Sequence, residues 1–204
     1  MDVLESNSMA TSMTPHPCKG NTCDKAGCNF NPYAKGDRNF WGPGKTVDSG
    51  KPVTVITQFV ASGGKLTQVV RKYIQNGRQI NSGTTSSCGA EGTYGGLTGM
   101  GQALGRGSKS NVFPRNHSQV SWPSYPDLIA SKTTRPADAV FDIVVLAMSI
   151  WNDAKEQMQW LDQGSNGPCP KGQGTPANIQ SQHSDTHVVF SNIRWGDIGS
   201  TTKS

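Results

Sequence analysis

The chain has 204 residues, the length of one domain or part of a larger one, with 24 Gly and 12 Pro but only 16% charged positions. That balance excludes a coiled coil or helical bundle and favours short strands joined by many turns. The longest apolar stretch begins at Ile143 and is strand-sized, well short of the roughly 18 residues of a membrane helix. The net charge of +5 is spread without a basic block, which fits a solvated surface better than a nucleic-acid interface.

Taken in chain order, residues 1–5 lack the basic and apolar regions of a secretory signal. Cys18, Cys23 and Cys28 then stand five apart, with Cys88 and Cys169 far downstream. Zinc prefers tighter Cys-x2-Cys pairs, so disulfides are the better reading and no metal site is assigned. Five is odd, which leaves one thiol without a partner in this chain. A secreted-type cysteine pattern without a signal suggests that an upstream part of a longer protein is missing. Residues 52–60 (PVTVITQFV) and 66–75 (LTQVVRKYIQ) are β-branched runs, and Asn76-Gly77 closes the second with the strongest short hairpin signal. Residues 143–150 and 187–193 are two more candidate strands, and 31–49, 81–107 and 164–176 read as loops. Residues 152–163 have some helical propensity, but Trp151 and Trp160 suit no single helical face, so the segment is read as strand and loop. The predicted class is an all-β sandwich or jelly roll with long loops and no internal repeat.

The motifs with chemical content are Asp2-x-x-Glu5, Thr14-Pro15-His16-Pro17-Cys18, Cys23-x4-Cys28, Asn31-Pro32-Tyr33 and Gly42-Pro43-Gly44-Lys45-Thr46-Val47-Asp48. Downstream come Ser149-Ile150-Trp151-Asn152-Asp153, Trp160-Leu161-Asp162 and the run from Phe190 to Thr201. In this order the set resembles the C-terminal half of family 7 glycoside hydrolases, the fungal retaining cellulases, in their endoglucanase I branch. The resemblance covers nearly the whole chain except about 108–143. It implies an incomplete concanavalin-like β-jelly roll spanning 1–204 and a secreted monomer without a cofactor. It also implies that the partner is cellulose or a related β-1,4-glucan, and not nucleic acid or a membrane.

The family's catalytic motif is Glu-x-Asp-x-x-Glu on one strand. Carried over, Asp2 is the helper and Glu5 the acid/base, while the nucleophile would sit one residue before Met1 and is absent. A retaining glycosidase needs two carboxyls about 5–5.5 Å apart. On a regular strand the position of Glu5 would point away from the other two carboxyls, so a bulge is required to re-aim it. Like charge from Asp2 would help Glu5 hold its proton. The resemblance further implies that His16 lies on the leaving-group side and that Trp151 and Trp160 stack glucosyl rings on opposite sides of Glu5 in one groove. Trp41, which replaces a common Tyr, is expected to pack structurally, and Trp195 is expected in the core. By the same carry-over Cys18 pairs with Cys23 and Cys28 with Cys88, leaving Cys169 unpaired.

Cellobiohydrolases carry a long cysteine-stapled loop where this chain has only Lys19-Gly20-Asn21-Thr22, and an Arg where it has Ala34. The link 164–168 is also short. These departures imply an open cleft and endo cleavage rather than a cellobiohydrolase-type relative. The atypical segment 108–143 holds Pro114, Pro123, Pro126 and Pro136 without periodicity. It reads either as retained intron sequence or as a genuine surface insertion in which Asn116-His117-Ser118 would offer a glycosylation site. The leading reading at this level is a truncated endo-β-1,4-glucanase, and the alternatives kept open are a catalytically dead carbohydrate-binding jelly-roll fragment and a cellobiohydrolase-type relative.

Overall fold

The computed structural model describes residues 2–16, 18–19, 22–23, 26–62, 65–85 and 146–202. Cys88 and the segment 108–143 lie outside them. The described residues form mostly strands with little helix. A first hairpin joins β1 (Asp2–Ser6) to β2 (Thr11–Thr14), and β3 (Cys18–Lys19) pairs with β4 (Thr22–Cys23). Two short parallel strands follow, β5 (Trp41–Gly42) and β6 (Val47–Asp48). An antiparallel meander of β7 (Thr54–Ser62), β8 (Lys65–Gln75) and β9 (Arg78–Thr85) is the largest sheet.

The meander shows how local chemistry sets register. Asn76 and Gly77 both take positive φ, 53° and 73°, which suits the right-handed twist of the strands they connect. Period-two alternation then decides the faces: Val69, Arg71, Tyr73 and Gln75 of β8 are buried, whereas Val70, Lys72 and Ile74 are only half-buried. Tyr73 packs with Phe40 and Val47, and Trp41, Val53, Val55 and Ile80 close around them. The Tyr73 ring centroid lies 5.6 Å from those of both Phe40 and Trp41. Gln75 seals one end: its Oε1 accepts from Asp48 N at 2.8 Å and its Nε2 donates to Asp48 O at 2.9 Å. Next along the same face lies Arg71, 2% exposed, whose three guanidinium nitrogens have no hydrogen-bond partner among the described residues. Its charge faces the Tyr73 ring at 6.0 Å.

Three sequence-based expectations are corrected. Strand pairing extends through 81–85, read as loop, because β9 finds a ladder along β8. The described part of the 143–150 run, from Leu146, and the 187–193 run are not strands. No described backbone pairs with them, and β-branched composition supplies propensity without a partner. Leu146, Ile150, Val189, Ile193 and Trp195 stay exposed, and Trp195, expected in the core, is 88% exposed because nothing described packs on it. The third correction falls within 152–163, read as strand and loop. There Met158 takes φ 58° and a single turn, α1 (Gln159–Asp162), follows. A second helix, α2 (Pro176–Gln182), starts where Thr175 accepts from Asn178 N at 3.2 Å and Pro176 opens the first turn.

Candidate active site

β1 and β2 pair at Asp2 opposite Thr14 and at Glu5 opposite Ser12. Three steps along β1 therefore match two along β2, and the extra residue is a bulge. Without it Asp2 and Glu5 would face opposite ways; with it both carboxyls reach the same side of the hairpin. Thr14 Oγ1 donates to Glu5 Oε2, and His16 Nε2 lies 2.8 Å from Asp2 Oδ2. His16 is 8% exposed, so it is a buried partner of Asp2 rather than a loop side chain in solvent. Burial lifts the Glu5 carboxyl to about 6, the Asp2 charge adds to the rise, and the Thr14 hydroxyl and His16 oppose it.

The hairpin is held from outside by main-chain pairing and one close approach. Met13 and Phe30 exchange two backbone hydrogen bonds, and Cys28 N donates to Pro15 O at 2.8 Å. Just before Cys28, Gly27 has φ +72°, and a Cβ there would lie 2.5 Å from Thr14 Cγ2 and 2.7 Å from His16 Cε1. Gly27→Ala should therefore cost about 2 kcal/mol from left-handed strain alone, with the overlap added. Because Thr14 lowers the Glu5 pKa, displacing Thr14 should move the Glu5 titration above its present value near 6. Carbon-13 NMR of the side-chain carboxyl checks this, and an unchanged titration would show that Gly27 does not hold Thr14.

The two candidate sugar-stacking residues lie together. Trp151 and Trp160 stack with centroids 6.1 Å apart and planes at 17°, and Trp160 Nε1 donates to Asp153 Oδ2 at 3.4 Å. Rings in mutual contact cannot flank Glu5 on opposite sides, so that expectation is replaced by one two-ring platform with Trp151 43% exposed. Side-chain amides tie this segment to the hairpin region, and of them only Asn7 carries no signal in the sequence motifs. Asn31 Nδ2 donates to Leu161 O at 3.0 Å and Asn166 O at 2.8 Å, and Asn7 Nδ2 donates to Asp162 Oδ2 at 2.6 Å. Trp41 is structural as expected, donating Nε1 to Asn7 O at 2.9 Å. Cys18 and Cys23 are directly opposed across β3 and β4, Cys28 is disulfide-bonded and Cys169 carries a free thiol. Burial and the Asp162 carboxylate push that thiol up to about 11, away from the reactive thiolate. Among the described residues no cluster of three or more His, Cys, Asp or Glu could hold a metal ion.

The hairpin thus carries two carboxyls, each held by its own hydrogen-bond partner. Residues 1–202 match the family described as Glycosyl hydrolase family 7. The chain belongs to that family. It is 44% identical over 213 residues to endoglucanase EG-1 of Hypocrea jecorina, covering 100% of this chain and 39% of that protein. Endo-beta-1,4-glucanase celB of Aspergillus oryzae is 39% identical, with coverage of 98% and 48%. The solved Humicola insolens endocellulase EGI superposes with a TM-score of 0.63 at 30% identity, covering 89% of this chain and 45% of that one. The family 7 chain described here thus spans less than half the length of each of these relatives.

Proposed function

We propose that this chain carries the acid/base carboxyl and part of the glucan-binding surface of a retaining endo-β-1,4-glucanase, on sheets belonging to a concanavalin-like β-jelly roll. The observation behind the proposal is the bulged hairpin that gathers Asp2, Glu5, Thr14 and His16, with Glu5 titrating near 6. A carboxyl held there still carries a proton in weak acid and can deliver it to a departing glycosidic oxygen. The same carboxylate can then take a proton from water in the second displacement. Asp2, engaged by His16, acts as helper. The substrate is cellulose or a related β-1,4-glucan, supported by the endoglucanase relatives and by a solved endoglucanase I complexed with cellobiose. The Trp151–Trp160 platform suits the apolar face of a pyranose ring. Cys18–Cys23 and Cys28–Cys88 are the proposed disulfides, and the bonded state of Cys28 supports a secreted protein. The protein acts as a monomer. No helix among the described residues is long and apolar enough to cross a membrane.

Double displacement also needs an attacking carboxyl, and β1 offers only Asp2 beside Glu5. The chain is therefore expected to bind cellotetraose in a calorimetric titration but to release no more reducing sugar from soluble cellulose than its Glu5→Gln variant. Failure to bind would overturn the glucan site. Release above the variant would overturn the helper role of Asp2.

A further inference from the structure

We infer that Asn7 is a positioning residue whose amide, bonded to Asp162, sets the tryptophan platform against the strand that bears Glu5. Asn7 directly follows β1, two residues after Glu5. Its side chain is locked by the hairpin turn: Oδ1 accepts from Met9 N at 2.8 Å and Ala10 N at 2.9 Å, and its own N donates to Ala10 O at 3.0 Å. With the oxygen so engaged, the NH2 group is aimed outward before Asp162 arrives. Nδ2 then meets Asp162 Oδ2 at 2.6 Å, across 155 residues of sequence.

The receiving side is equally fixed. Asp162 ends α1 at 6% exposure, and its Oδ1 has no hydrogen-bond partner among the described residues. Asp162 O accepts from Cys169 N at 2.8 Å, and a Cβ on Gly167 would lie 2.5 Å from Asp162 Cα, so the 162–169 loop closes tightly on it. Trp160 stands two residues before Asp162 and stacks on Trp151. Asn31 holds the main chain of this loop through Leu161 O and Asn166 O. The Asn7 amide is a side-chain link to it from the end of the Glu5 strand, and a link between two locked groups transmits position.

The inference deepens the glucan-site reading and rests on it for the consequence in sugar binding. In the 204-residue chain, Asn7→Asp keeps both acceptor contacts in the turn but sets a carboxyl against Asp162. Asp162→Asn keeps an acceptor for Asn7, and the double variant exchanges donor and acceptor. Asn7→Asp should lose the near-ultraviolet circular dichroism of the stacked indoles and weaken cellotetraose binding about tenfold. Asp162→Asn and the double variant should restore both readouts to within about twofold of the parent, a rescue that a merely structural defect would not show. Parental spectrum and affinity in Asn7→Asp, or a double variant as impaired as Asn7→Asp, would overturn the inference. If the parent does not bind cellotetraose the glucan site fails, and the indole spectra still decide whether Asn7 positions the platform.

Discussion

Glu5→Gln is expected to slow azide-dependent cleavage of an aryl β-cellobioside with a poor leaving group by this chain about 10²- to 10⁴-fold. In the proposed roles of Asp2 as helper and Glu5 as acid, azide supplies the attacking group: a nitrogen bonds to the anomeric carbon, the bond to the aryl oxygen breaks, and the Glu5 proton moves to that oxygen. The product is an α-glycosyl azide, inverted at the centre. Positioned proton transfer contributes roughly 10²- to 10⁴-fold, so Gln, which has the shape of Glu but no acidic proton, should lose a factor of that size. The loss should be large for a poor leaving group and small for one that departs without protonation. The pH dependence follows from the raised pKa. As the proposed acid Glu5 would act only when protonated, so the rate should fall as pH rises through about 6, and the Gln variant should show no such limb. Initial rates across pH 4–8 (roughly the range in which a carboxyl shifted this far titrates) check both. Equal azide-dependent rates in parent and variant would remove Glu5 from the acid role.

Parts of this arrangement are readable from composition and spacing, and parts are not. Asn76-Gly77 announces the β7–β9 meander because two successive positive φ angles are a local demand that few residue pairs meet. Once the family resemblance puts Asp2 and Glu5 in one cleft, the need for a bulge between them follows from counting, since two carboxyls three apart cannot share a face on a regular strand. Grouping His16 with that pair rested on family resemblance, and no periodicity marks Thr14 as the donor to Glu5. The 143–150 and 187–193 runs misled because β-branched residues report a preference for pleated surroundings and say nothing of whether a partner strand lies alongside. α1 escaped notice because one turn after a left-handed Met158 is too short for any helical period. The Asn7–Asp162 bond joins residues 155 apart, and Asn7 in isolation reads only as a turn residue.

Tyr73→Ala should produce the largest loss of stability from a single core substitution in the described fold. Its ring is 2% exposed and shared between Phe40 and Trp41, so truncation removes the centre of the cluster and leaves a cavity between β8 and the β5–β6 region. Large-to-small aromatic substitutions of this kind cost about 3–5 kcal/mol. Tyr73→Phe keeps the ring and removes only a 3.4 Å contact between the hydroxyl and Thr11 Oγ1, which predicts a loss of about 1 kcal/mol or less. The ratio between the two variants matters more than either value. Trp41 leans on Tyr73 and donates to Asn7 O, so a gap under Trp41 should also loosen the turn beside the acid strand. Urea unfolding of the three proteins measures the stabilities, and carboxyl NMR of Glu5 reads the turn. If Tyr73→Ala costs no more than Tyr73→Phe, the aromatic cluster does not support the hairpin. If Ala destabilises strongly while Glu5 titrates unchanged, the core and the acid site are independent. The route from Tyr73 through Trp41 to Asn7 predicts that both move together.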